Sequence, residues 1–184
     1  NGVPMTDTVV IDVSVGAANA TTSTMETSQT SMTTDDSATI TVRLKDSHGN
    51  SLTAGGDDVE LFADYGSLSS VTDEGNGTYT ATFTAETPGT ATITGTVNGV
   101  AMTDTVVIKV SVGRPDAGAS TITAAPDTIS TDDDDTALIT VQVKDAKGNN
   151  LPQGGEHVVL ETDHGRLTDV EDRGDGTYTA VFSA

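Results

Sequence analysis

The groups in this chain able to do chemistry are almost all carboxylates. Of its 28 acidic residues, 21 are Asp, set against 8 Lys and Arg, with no Cys and three His. Hard cations such as calcium take several carboxylate and carbonyl oxygens, and Asp is short enough to crowd them onto one loop. The densest source is Asp132-Asp133-Asp134-Asp135, and Asp35-Asp36 is its shorter counterpart. Asp64, Asp116, Asp145, Asp172 and Asp175 complete the candidate metal ligands. A calcium ion shared among them at an inter-domain junction would replace carboxylate repulsion with common ligands and stiffen the joint. The alternative is equally physical. Asp before a Gly-rich turn accepts its own backbone amides, a charge run is a solvated face, and no D-x-[DN]-x-[DN]-G loop is present. No cofactor is required on either reading.

Catalysis has little support. His48, His157 and His164 form no pattern with a nucleophile, and neither G-x-S-x-G nor H-E-x-x-H occurs. The expectation is a non-enzyme. A net charge of −20 repels phosphate and argues against nucleic acid. No apolar run approaches the ~18 residues of a membrane span, and the first residues do not read as a signal peptide. Asn19-Ala-Thr21 and Asn76-Gly-Thr78 match the glycosylation triplet, but Asp175 stands where a repeat of Asn76 would fall, so a turn role explains the Asn-Gly better.

The elements that must position these acids come from a repeat. Asn1–Gly16 returns at Asn98–Gly113 with 14 of 16 residues identical, and Ala38–Ala85 returns at Ala137–Ala184 with 26 of 48. The period of 97–99 residues is that of one small β-sandwich. The chain then divides into residues 1–13, the final strand of a preceding repeat; residues 14–110, a complete repeat; and residues 111–184, a second repeat without its last two strands. On that division the 35–36 and 132–135 acids, with Asp64, fall at the C-terminal end of each unit. Asp116 lies in the linker, and Asp145, Asp172 and Asp175 fall at the N-terminal end of the second unit.

Thirty-four Thr residues and frequent Val and Ile, with few helix formers, make the chain all-β. Alternation predicts strands at 39–45, 59–63, 66–71, 78–85, 91–97 and 105–112, with a weaker first strand near 21–32. Seven short antiparallel strands per unit, punctuated by Asp46-Ser-His-Gly-Asn50 and Gly75-Asn-Gly77, predict tandem immunoglobulin-like β-sandwiches. Tyr79, Tyr178, Phe83 and Phe182 are the expected aromatic core. Phe62 and Tyr65 are left as aromatics available for contact.

The segments ATITVRLKDSHGNSL (38–52), ADYGSLSSVTDEGNGTYTATFTA (63–85) and TPGTATITGTVNG (87–99) resemble the bacterial immunoglobulin-like repeats of the invasin/intimin adhesins. So does the second copy at 137–155 and 165–184, and the K-D-x-x-G-N turn and D-x-G-[ND]-G-T-Y hairpin carry the likeness most strongly. The resemblance implies an extracellular rod on a bacterial surface, bearing a distal binding tip. The expected role is a stalk repeat whose partners are its neighbouring repeats. A ligand-binding module for a host protein or glycan is the alternative, as is a filament subunit in which other copies of the chain pair strand to strand.

Overall fold

The computed structural model describes Gly2, residues 6–131 and residues 135–184. The strands between Thr24 and Ser111 build a two-sheet sandwich. One sheet holds β1 (Thr24–Thr27), β3 (Ala38–Arg43), β7 (Thr78–Thr84) and β5 (Ser67–Leu68) in that order, with β6 (Thr72–Asp73) also on β7. The other holds β2 (Ser31–Thr33), β10 (Val106–Ser111), β8 (Gly89–Val97) and β4 (Val59–Ala63), with β9 (Val100–Ala101) on β8. The side-chain period of two explains the assembly. Ile40 and Val42 of β3, Tyr79, Ala81 and Phe83 of β7, Ile93 of β8, and Ile108 and Val110 of β10 all point between the sheets and are buried. Full burial of each large apolar side chain contributes about 1.5–3 kcal/mol.

Two details differ from the reading by alternation. The expected first strand is two strands, because the chain crosses from one sheet to the other between Thr27 and Ser31. Met25 and Met32 are its inward residues, one in each sheet. After the crossing β2 runs parallel to β10, with Met32 opposite Val110, so one pair of an otherwise antiparallel sandwich is parallel. The expected strand at 66–71 shortens to β5 at Ser67–Leu68, and β6 follows it at Thr72–Asp73.

The second repeat forms one sheet, with β11 (Pro115–Ala125), β12 (Thr136–Asp145), β15 (Thr177–Ser183) and β13 (Arg166–Leu167) in order and β14 (Glu171–Asp172) on β15. It matches the β1-β3-β7-β5 sheet strand for strand. Residues 158–162, the counterpart of β4, make no ladder. In the first repeat it is β8 that pairs with β4. A cleft of about 450 Å³ lies between Val158–Leu160 and the inner face of β11 and β12. Residues 6–13 lie in no strand, and Val9, Val10, Ile11 and Val13 are exposed. Their segment Thr6–Ile11 has the same sequence as Thr103–Ile108, which leads into β10.

Candidate functional site

The site worth building from the residues up is the joint between repeats. β10 ends at Ser111, and the chain passes through Val112-Gly113-Arg114 into β11. On the first repeat, β2 lies beside β10, so the turn after β2 is held against the departing linker: the Thr34 amide donates to the Ser111 carbonyl at 3.0 Å. On the second repeat, β12 runs into the 145–149 turn, which closes by the Asp145 amide donating to the Asn149 carbonyl at 2.9 Å. These two turns meet at the linker.

Asp145 is the centre of the joint and is completely buried. Its Oδ1 accepts the amides of Lys147 (3.0 Å) and Asn149 (2.8 Å), which shapes its own turn. Its Oδ2 faces the first repeat, accepting the Thr34 hydroxyl at 2.6 Å and the Gly113 amide at 3.0 Å. The Asn149 side-chain amide bonds both carboxylate oxygens and also reaches the Glu86 carbonyl of the first repeat at 2.8 Å. Burial raises the Asp145 pKa, but the donors from Thr34, Asn149 and Gly113 outweigh it and hold the carboxyl well below the usual carboxylate range. The group is a buried anion satisfied entirely by hydrogen bonds.

Asp35 approaches the next amide from the opposite repeat, accepting Arg114 N–H at 2.8 Å. Two carboxylates, one per repeat, thus clamp consecutive linker amides. Gly113 leaves room for this approach: a Cβ there would stand 2.6 Å from the Asp35 carboxylate atoms, so the exposed Asp35 side chain would have to move aside. Val112 packs against the second repeat's core of Val141, Val143, Leu151 and Tyr178. Lys147 and Glu86 make an exposed ion pair at 4.0 Å across the joint, worth little in water.

The carboxylate–glycine contact recurs one period earlier. Asp46, the counterpart of Asp145 and 4 % exposed, accepts the Gly16 amide at 3.1 Å while receiving His48 N–H and Asn50 N–H on Oδ1, both at 2.9 Å. The Asn50 side chain foremost, with the backbone amides of Asn50, Gly16 and His48, holds this carboxyl well below its ordinary value against the effect of burial. Asn19 and Asp116 also correspond: each carboxamide or carboxylate oxygen caps the next turn, at Thr21 N–H (3.0 Å) and Ala119 N–H (2.8 Å). Ser23 and Ser120 then tie that turn to Lys45 N–H and Lys144 N–H, both at 3.0 Å.

The other proposed ligands sit apart from the joint or face their own backbone. Asp36 accepts the Thr33 amide and hydroxyl, the amide first, and its pKa is lowered. Asp64 accepts Thr92 N–H at 2.6 Å. Asp172 accepts Gly155 N–H (2.7 Å) and Gly174 N–H (2.8 Å), as Asp73 does for Gly56 and Gly75. Asp175 caps Thr177, whose hydroxyl and amide lower its pKa. Among the described residues no group of three or more acidic or histidine side chains stands together as a metal ligand set. Asp132, Asp133 and Asp134 lie outside the described residues, and Asp135 is exposed. Of the eleven candidates, then, Asp35 and Asp145 are brought together, on linker amides.

Sequence reasoning missed Thr34, Gly113 and the burial of Asp46. The signal available was the repeat itself: V-S-V-G and K-D-x-x-G-N both recur, and in the structure they are partners. Asn76 accepts Thr78 N–H at 3.0 Å and Asn19 caps its turn, so both Asn of the glycosylation triplets serve as turn residues.

Comparison with known proteins agrees with this architecture. The family described as invasin, domain 3, matches residues 19–113 and again 116–184. The crystal structure of invasin, a bacterial integrin-binding protein, superposes with a TM-score of 0.59 at 29% identity, over 90% of this chain and 35% of that one. FdeC, an Escherichia coli adhesin, gives 0.57 at 22% identity, over 91% of this chain and 57% of that one. The Yersinia pseudotuberculosis adhesin InvE gives 0.53 at 19%, over 90% and 52%. The chain spans between about a third and somewhat over half of these proteins, and the two more distant ones speak to the fold alone.

Proposed function

The chain belongs to the invasin domain 3 family of adhesin immunoglobulin-like domains, and from that premise we propose that it is a stalk segment of a bacterial surface adhesin, holding a distal binding region away from the cell. The observation that carries this reading is the joint. In both repeats the buried Asp of the K-D-x-x-G-N turn accepts the amide of the glycine that precedes the repeat's first strand, Asp46 that of Gly16 and Asp145 that of Gly113, and at Asp145 the Thr34 hydroxyl ties the preceding repeat to the same carboxylate. A recurring joint transmits position along an array, and such arrays lengthen by adding repeats. The partners of the segment are its neighbouring repeats, and its place is the outer surface of the cell.

The surface supports the same reading. Binding hot spots favour clustered aromatics and Arg in a pocket. Tyr79, Phe83 and Tyr178 are instead buried in the cores, and Tyr65 is fastened to Thr87 and Pro88 by its hydroxyl. Phe62, half exposed, stands on β4 without a second exposed aromatic beside it in sequence. The high negative charge keeps neighbouring rods apart and soluble. The test is competition: the soluble chain, added in large excess, leaves adhesion by the whole protein unchanged. Inhibition that saturates with added chain would assign the receptor contact to this segment and overturn the stalk reading.

A further inference from the structure

We propose that the 145–149 turn is an intramolecular docking site for the strand end of the preceding repeat, in which the Asp145 carboxylate captures Gly113 N–H and the Thr34 hydroxyl and sets the angle between repeats without a cation. The inference concerns how the joint is made and stands whether the segment is a spacer or a binder.

Three observations converge on it. First, Asp145 has no exposed surface: Oδ1 serves its own turn, while Oδ2, besides the Asn149 side chain, takes the linker amide of Gly113 and the Thr34 hydroxyl of the first repeat. Second, the cross-repeat donors are one backbone amide and one hydroxyl, and the hydroxyl comes from Thr34, itself 4 % exposed. Donors of this kind cannot be replaced by water at a buried site without moving the repeats apart. Third, Asp46 repeats the glycine-amide half of the arrangement on Gly16, as expected if K-D-x-x-G-N and the glycine of V-S-V-G are paired elements of one device.

Cation chemistry is not needed to neutralise the acids at the joint. Asp35 and Asp145 each meet an N–H, and neither meets the other in a shared ligand set among the described residues. Fixed amide dipoles do the work that a bound ion would do, as they do for anions held in backbone nests. Glycine lets the backbone come this close to the carboxylates: at Gly113 a Cβ would push the exposed Asp35 side chain aside, and at Gly16 it would stand 3.3 Å from the Asp46 Cβ.

The experiment measures the distance between the repeats directly. The chain has no Cys of its own, so spin labels go onto Thr82→Cys and Asp169→Cys, both exposed, one per repeat. The full chain is expected to give one narrow distance that is the same in calcium and in EDTA. Thr34→Val, which removes the cross-repeat hydroxyl and leaves the 145–149 turn intact, is expected to broaden it, and Asp145→Asn to broaden it further. Asp46→Asn makes the same lesion in the other turn, and is expected to leave this distance alone. The proposal is overturned if Thr34→Val and Asp145→Asn keep the narrow distance. It is equally overturned if EDTA alone abolishes that distance.

Discussion

Thr34 and Asp145 are 111 residues apart in sequence and share one hydrogen bond of 2.6 Å between two buried groups. A hydrogen bond to a buried charged acceptor contributes about 1.5–3 kcal/mol net. Thr34→Val keeps the branched stem and deletes the donor, so it should cost that amount. Asp145→Asn retains an acceptor for the turn but sets an amide N–H against Gly113 N–H, and should cost about 2–4 kcal/mol because a buried donor is left unmet. In the double variant the Thr34 bond is already gone, so the two losses should fail to add by about 1–2 kcal/mol. Urea unfolding followed by far-ultraviolet circular dichroism measures all four proteins of the cycle. The parallel cycle of Thr34→Val with Asp46→Asn shares no bond and should be additive within about 0.5 kcal/mol. A Thr34–Asp145 coupling no larger than that control would refute the claim that the two repeats are bonded through this carboxylate.

Other outcomes follow from the same structure. Gly75 and Gly77 both have positive φ (74° and 78°), but a Cβ on Gly75 meets nothing while one on Gly77 runs into the Leu52 carbonyl. Gly75→Ala should therefore lower stability by about 1 kcal/mol and Gly77→Ala by more than twice that, read as a difference in melting temperature. Tyr178→Phe removes the hydroxyl that accepts Glu156 N–H at 2.8 Å, and Tyr79→Phe the one that accepts Asp57 N–H at 2.9 Å; each should cost about 0.5–1.5 kcal/mol in thermal unfolding. Asp46 and Asp145 have folded pKa values below the ordinary 3.8. Their stabilisation is complete above that value and is lost as pH falls from it toward the lower folded values, so the spin-label distance should be identical at pH 7 and pH 5 and broaden in strong acid.

The sandwich was readable because strands such as β3 and β7 alternate with period two, and Ile40, Val42, Tyr79 and Phe83 are buried where that alternation puts them. The first strand was harder, since residues 21–32 carry apolar side chains only at Met25 and Met32, and nothing local marks the crossing between sheets. The joint was half legible. A K-D-x-x-G-N turn is visible as a turn, and the repeat places Asp145 at the junction. Its burial is not visible, because what covers Asp145 is Thr34 from the other repeat and Gly113 from the linker. An Asp that caps its own loop in solvent and an Asp that also receives a neighbouring domain have the same local sequence. Asp35 shows the same limit: read as a metal ligand beside Asp36, it bonds a linker amide that only the fold brings near.

The central claim is that the segment acts through its span and its joint rather than through a receptor contact. The measurement that tests it most directly is a replacement in the whole surface protein, with these residues exchanged for two sequence-unrelated immunoglobulin-like repeats of equal length and a rigid joint. Adhesion at the natural level is the predicted result, and a joint made flexible in the same protein should reduce it. Loss of adhesion with the rigid replacement would contradict the account and place recognition in this segment.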